Sequence, residues 1–246
     1  MKILLPPSET KRTGGTGAPI DLANLALPSL HAAREQVVSA LIELSGDVAE
    51  SQRVLKLSDR QLADIDDNRM LRTAPTMPAV DRYTGVLYDA LDAPNLDRAA
   101  RRWLGAHVLI HSAPFGPVGA LDSIPAYRLA AGAALPGLQP LRRHWAESTT
   151  AALAENDFLL DLRSEAYVAL GPVPASVRSA YVRVVTDTGR ALNHFNKKAK
   201  GEFLRALATT RPRGRSADSL FEWAERTGLH LQKAPIQGEW ELVVRT

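Results

Sequence analysis

The stretch Lys2-Ile3-Leu4-Leu5-Pro6-Pro7 opens the chain as a short apolar run cut off by two prolines. Such a run reads as a buried strand, because proline cannot continue a central ladder. A second run of this kind, Val108-Leu109-Ile110-His111-Ser112, follows a helical segment capped by Asn95 or Asp97 and reaching Leu104. Further strands are expected at 158–163, 179–186 and 240–244, the last alternating like a half-exposed, antiparallel strand. Between them, Leu30, Val37, Leu41 and Leu44 keep helical spacing, as do Tyr83, Leu87 and Leu91 and the segment 141–153. Gly46 and Pro94 supply stops. Ser58-Asp59-Arg60-Gln61 and Ser219-Leu220-Phe221-Glu222 read as capping boxes. Strands and helices interleave throughout, which predicts a mixed α/β fold with a central sheet surrounded by helices. No repeat or linker divides residues 1–246, so a single domain is expected.

Composition bounds the chemistry. Hydrophobic content of 45% and charged content of 23% suit a globular chain with a real core. No apolar run reaches 18 residues, and the N-terminal run is too short for a signal peptide, so a cytoplasmic protein without membrane partners is expected. Cysteine is absent, which excludes disulfides and a peroxidatic thiol. Six histidines are scattered. His107 and His111 bracket the second apolar run, and four residues along a strand separate side chains by roughly 13 Å, too far to share a metal. No metal and no cofactor is expected.

Charge is distributed unevenly. Between Arg190 and Arg215 stand eight basic residues, Arg190, Lys197, Lys198, Lys200, Arg205, Arg211, Arg213 and Arg215, against the single acid Glu202, while the whole chain carries only +3. A concentrated excess of this kind points to a polyanionic or phosphorylated partner, although a solvated helix end followed by a loop has the same composition. Asn196 reads as the N-cap of a helix continuing past Gly201, with Phe203, Leu204 and Leu207 on its apolar face. Amide donors and three lysines would then meet near a helix start, where an anion is favoured.

Other polar clusters lie in loops. Ser8-Glu9-Thr10-Lys11 follows the first strand, where α/β proteins often bind ligands, and Thr13–Gly17 is glycine-rich. It is neither a Walker loop nor a dinucleotide fingerprint. Asp122 and Arg128 stand in the proline-stiffened stretch 112–140 and could simply pair with one another. Ser164 and Glu165 follow another strand, where Ser164 could cap a helix.

In order, Leu4–Lys11 (LLPPSETK), Arg82–Leu91 (RYTGVLYDAL), Ser112–Gly116 with Leu121–Leu129 (SAPFG and LDSIPAYRL), Asp161–Leu170 (DLRSEAYVAL) and His194–Gly201 (HFNKKAKG) resemble the YaaA family of peroxide stress proteins. The resemblance spans essentially the whole chain and lies closest to the actinobacterial branch, in keeping with 23 arginines to seven lysines. Pro114 and Pro117 depart from the larger apolar residues that relatives tend to carry. The resemblance implies a cytoplasmic bacterial protein that binds DNA through a basic groove and a helix-hairpin-helix, limiting oxidative DNA damage; a monomer is expected. Ser45–Leu71 is the helical pair that could serve as the hairpin. The phosphate-binding candidates are Lys11, Arg82, Arg128, Arg163, Lys197, Lys198, Lys200 and Arg205, with Tyr83 and Tyr127 for stacking. The alternative is an enzyme acting on a nucleotide or another phosphate-bearing small molecule, with Glu9, Asp122, Ser164 and Glu165 as candidate catalytic groups. Convergence of the N-terminal loop, Arg128, Arg163 and Lys200 in one pocket favours the enzyme; an open groove favours the DNA binder.

Overall fold

The computed structural model describes residues 1–187, 195–212 and 217–244. Arg190, His194, Arg213 and Arg215 lie outside them. The strands are β1 (Lys2–Leu5), β2 (Met77–Pro78), β3 (Val108–Ser112), β4 (Gly116–Gly119), β5 (Ser123–Ile124), β6 (Phe158–Asp161), β7 (Arg178–Thr186), β8 (His230–Lys233) and β9 (Glu239–Val244). Seven of them form one sheet in the order β4-β3-β1-β6-β7-β9-β8, and β2 pairs with β5 separately. The interior pairs are parallel; β4 and β8 close the two edges antiparallel. The expected antiparallel strand at the C-terminus is therefore a correction in part: β9 runs antiparallel to β8 but parallel to β7.

The helices are α1 (His31–Leu44), α2 (Val48–Leu55), α3 (Asp64–Arg69), α4 (Ala79–Arg82), α5 (Val86–Leu91), α6 (Arg98–His107), α7 (Leu141–Leu153), α8 (Glu165–Val168), α9 (Phe195–Thr210) and α10 (Ala217–Arg226). They cover both faces of the sheet, so its central strands are apolar on both sides. Ile3, Leu5, Val108, Ile110 and Leu160 enter the main core, whereas Leu4, Leu109 and Leu159 pack behind them with Leu153 and Val177. The two-residue alternation of a strand sends neighbours to opposite faces, and here both faces are dry.

Local chemistry explains most boundaries. Asp97, not Asn95, caps α6, its carboxylate accepting from the Ala100 amide at 2.6 Å. Gln61 accepts from the Ser58 amide and hydroxyl, closing the first expected capping box around a single 3-10 turn. Ser219 and Asn196 both sit inside helices, not at their caps. Gly201 likewise falls in the interior of α9, because that helix lies directly against α5. A Cβ at Gly201 would collide with the Leu87 carbonyl and the Ala90 methyl. His107 ends α6 and so is not on the strand that carries His111.

The stretch 112–140 holds β4 and β5. Pro117 lies in β4 opposite His111, on the edge of the sheet, where the missing N–H is tolerated. Arg34 of α1 is fully buried beneath this hairpin and donates to the carbonyls of Phe115 (2.8 Å) and Pro117 (3.0 Å). Trp145 of α7 donates to Ala113 O at 2.9 Å.

Candidate functional site

In the sheet, β1 leads toward β3 on one side and β6 toward β7 on the other. The crevice outside the carboxyl ends of β1 and β6 is therefore the point where the winding reverses, the place where open α/β sheets bind ligands. Ser8–Lys11 leave β1 there, Ser112 ends β3, and Leu162–Glu165 leave β6.

Lys11 is the centre of the resulting cluster. It pairs through its backbone with Tyr83 in an isolated antiparallel bridge, which fixes the loop across the sheet end. Its ammonium donates to Ser8 O at 3.0 Å and Glu9 O at 3.2 Å and lies 4.1 Å from the Tyr127 ring centroid. Burial, reinforced by the Arg128 guanidinium, brings its pKa down to about 7, against the opposing pull of Asp64, Glu9 and Asp67. Burial and the neighbouring Asp64 push the Asp67 carboxyl up. Arg128 stands 3.9 Å from the Glu9 carboxylate, whose side chain is 81% exposed. Asn68 of α3, fully buried, holds Arg128 by both backbone groups: its Oδ1 accepts from Arg128 N at 2.8 Å and its Nδ2 donates to Arg128 O at 2.9 Å.

Beneath Lys11 lies a hydroxyl network. The Tyr83 and Tyr127 hydroxyls share a hydrogen bond of 2.8 Å, and Ser112 Oγ donates to Tyr127 at 3.2 Å. Burial raises both phenols, so they stay protonated across the physiological range. Thr10 Oγ1 links Ser8 and Thr84, and Gly85, with φ 93°, leaves room for the Ser8 and Thr10 hydroxyls, which a Cβ there would meet.

Several candidate residues have other roles. Tyr83 and Tyr127 are 2% and 3% exposed, so neither offers a face for stacking on a base. Arg82 is fully buried and donates to the carbonyls of Ile124, Arg12 and Pro75. Arg163, also fully buried, grips Asp161 with two hydrogen bonds, donates to Gly171 O and meets His111 Nδ1 at 2.9 Å. Burial, and then the Arg163 charge, push the His111 pKa down, leaving a neutral imidazole. Arg205 caps the end of α5 through the carbonyls of Leu91 and Asp92. Asp122 does not pair with Arg128; its carboxylate accepts from the amides of Gly119 (2.8 Å) and Ala26 (2.7 Å), a turn-forming role. Lys200 is buried and donates to Leu162 O at 3.1 Å, with burial lowering its pKa to about 8. Ser164 and Glu165 are exposed at the start of α8, where Glu165 faces Arg183 at 3.8 Å.

Of the expected phosphate contacts, Lys11 and Arg128 come together, and Lys197 and Lys198 are exposed, Lys198 3.6 Å from Glu202. The expected helical pair is present as α2 and α3, and α3 opens with Asp64, Asp66 and Asp67, two of which face Lys11. Asp64, Asp67 and Asn68 were the site residues that motif reading missed; their signal was a run of acids within a weakly amphipathic segment. Among the described residues, no group of three or more His, Asp or Glu is placed to hold a metal ion. No helix among them is long and apolar enough to cross a membrane.

Comparison with known proteins agrees with the motifs. The chain is 42% identical to a UPF0246 protein of Corynebacterium glutamicum over 96% of both chains. It is 44% identical to one of Corynebacterium efficiens over 94% of this chain and 95% of the relative. A UPF0246 protein of Streptomyces coelicolor is 41% identical over 99% and 98%. The family model described as peroxide stress protein YaaA matches residues 1–234. With nearly its whole length matched, the chain belongs to the YaaA family of peroxide stress proteins.

Proposed function

We propose that this chain is a cytoplasmic peroxide-stress protein that takes up a phosphate-bearing unit, a nucleotide free or within a strand, at Lys11 and Arg128. One observation carries the reading: Lys11 and Arg128 stand together beside Glu9 at the carboxyl ends of the parallel strands, Arg128 close enough to act on the Lys11 amine. The guanidinium of Arg128, its backbone clamped by Asn68, supplies a planar fork suited to phosphate oxygens. With Tyr83 and Tyr127 buried, recognition through these residues rests on charge and hydrogen bonding rather than stacking. In this role the protein limits oxidative damage to DNA by engaging damaged strands or their fragments.

A second reading, a DNA-binding face that does not use the Lys11–Arg128 cluster, is favoured by the exposure of Lys197 and Lys198 at the start of α9. Fluorescence anisotropy with short single strands and duplexes separates the two. Arg128→Gln weakens binding about tenfold or more if the cluster takes the phosphate, because a charge-assisted bidentate contact is lost. Equal binding by Arg128→Gln, with loss in the double variant Lys197→Ala/Lys198→Ala, overturns the cluster reading in favour of the face.

A further inference from the structure

Lys11 differs from the other described lysines in what surrounds its nitrogen. Two backbone carbonyls, Ser8 O and Glu9 O, lie within hydrogen-bond distance of Nζ, and the Tyr127 ring packs against it. An uncharged amine gives its two protons to these two carbonyls and keeps its lone pair unengaged. The charged groups facing it are Arg128, Glu9, Asp64 and Asp67, and the neutral phenols of Tyr83 and Tyr127 stand beside it. An amine in such a setting is a nucleophile toward carbonyl carbon. Carboxyl groups within the same cluster can carry the protons that its condensation requires.

We propose that Lys11 condenses with the aldehyde of a phosphorylated sugar whose phosphate is held by Arg128. The lone pair of Nζ forms a bond to the aldehyde carbon as the carbonyl electron pair moves to oxygen, and the oxygen takes one proton as Nζ releases one, giving a carbinolamine. The hydroxyl then takes a second proton and leaves as water, Nζ releases its remaining proton, and a neutral imine joins Lys11 to the sugar. No electrons are gained or lost overall. Glu9, exposed and 3.9 Å from Arg128, and Asp67, whose carboxyl is pushed up, are the groups placed to move those protons. The substrate class is an open-chain aldose phosphate, either free or as the abasic sugar of a nucleic-acid strand. The inference rests on the phosphate reading of the same site.

The test is reductive trapping. The full-length protein is incubated at pH 7.5 with sodium cyanoborohydride and either 2-deoxyribose 5-phosphate or a single-stranded oligonucleotide carrying one abasic site, then mapped by peptide mass spectrometry. The expected result is one adduct, on Lys11, with trapping that rises through a midpoint near pH 7, as the amine is released from its proton. Trapping with the free sugar alone identifies a small metabolite, with the oligonucleotide alone an abasic strand, and with both a shared sugar chemistry. Arg128→Gln is expected to slow trapping about tenfold, while Lys200→Arg leaves it unchanged. Mapping the wild-type chain keeps the test valid even where a Lys11 variant fails to fold. No adduct from either aldehyde, or adducts spread over Lys11, Lys200 and surface lysines alike, overturns the proposal. Binding of 2-deoxyribitol 5-phosphate, which has no aldehyde, is measured in parallel: saturable binding without trapping removes the covalent step and leaves the phosphate site standing. Loss of both removes both.

Discussion

Lys11 makes the fold sensitive to pH in a defined direction. Its pKa falls from an ordinary value of 10.5 to about 7 on folding, chiefly through burial. Between those values the unfolded chain holds a proton that the folded chain has released, so stability rises with pH across pH 7–10.5. The slope from one such group is at most about 1.4 kcal/mol per pH unit. Urea unfolding at pH 7 and pH 9 should therefore show wild type gaining on Lys11→Met, and parallel pH profiles would refute the buried-amine account. Asn68 acts beside it as a positioning residue. Asn68→Ala strips two buried backbone groups of their partner and should cost about 2–3 kcal/mol. It should also weaken phosphate binding through Arg128, whereas a purely structural role moves stability alone.

At the level of elements, strands β1, β3, β6 and β7 and helices α1, α6 and α7 were legible because each is a continuous apolar run or a clean helical stripe with strong stops. What escaped depended on neighbours distant in sequence. The hairpin around β4 has glycine and proline in place of a strand pattern, and Arg34 and Trp145 hold it from other helices. Glycine disfavours a helix interior, yet Gly201 stands inside α9 as the contact point that lets that helix lie on α5. That difference is measurable. In a free helix Gly→Ala gains about 1 kcal/mol of propensity. Gly201→Ala should instead lose stability by roughly 1–3 kcal/mol, since the new methyl overpacks against Leu87 and Ala90. A stabilised Gly201→Ala in thermal unfolding would mean that the two helices sit farther apart.

For the whole molecule, the loops that make up the candidate cluster were legible and the role of most of its cations was not. The loop after the first strand, with Glu9 and Lys11, was readable from its place in the α/β plan, and Arg128 from the proline-stiffened stretch and the family motif that carries it. Arg82, Arg163, Lys200 and Arg205 were indistinguishable from ligand contacts in sequence, because a buried arginine bonded to carbonyls and a solvent-facing one look alike until burial is known. The basic run at 190–215 consequently loses Lys200 and Arg205 as free charges, leaving Lys197 and Lys198 among its described members as solvent-facing lysines. Any DNA contact through these two should show as a salt slope that falls by roughly 2 on Lys197→Ala/Lys198→Ala, uniformly across sequences. An unchanged slope would take phosphate contacts away from α9.

The central claim is that Lys11 and Arg128 form one phosphate site, and calorimetric titration of the full-length protein with a nucleoside 5′-monophosphate tests it most directly. The account predicts saturable one-to-one binding by wild type and by Lys197→Ala/Lys198→Ala, weakened about tenfold or more in Arg128→Gln with its fold intact. Equal affinity in wild type and Arg128→Gln, or no saturable binding by wild type, would contradict it.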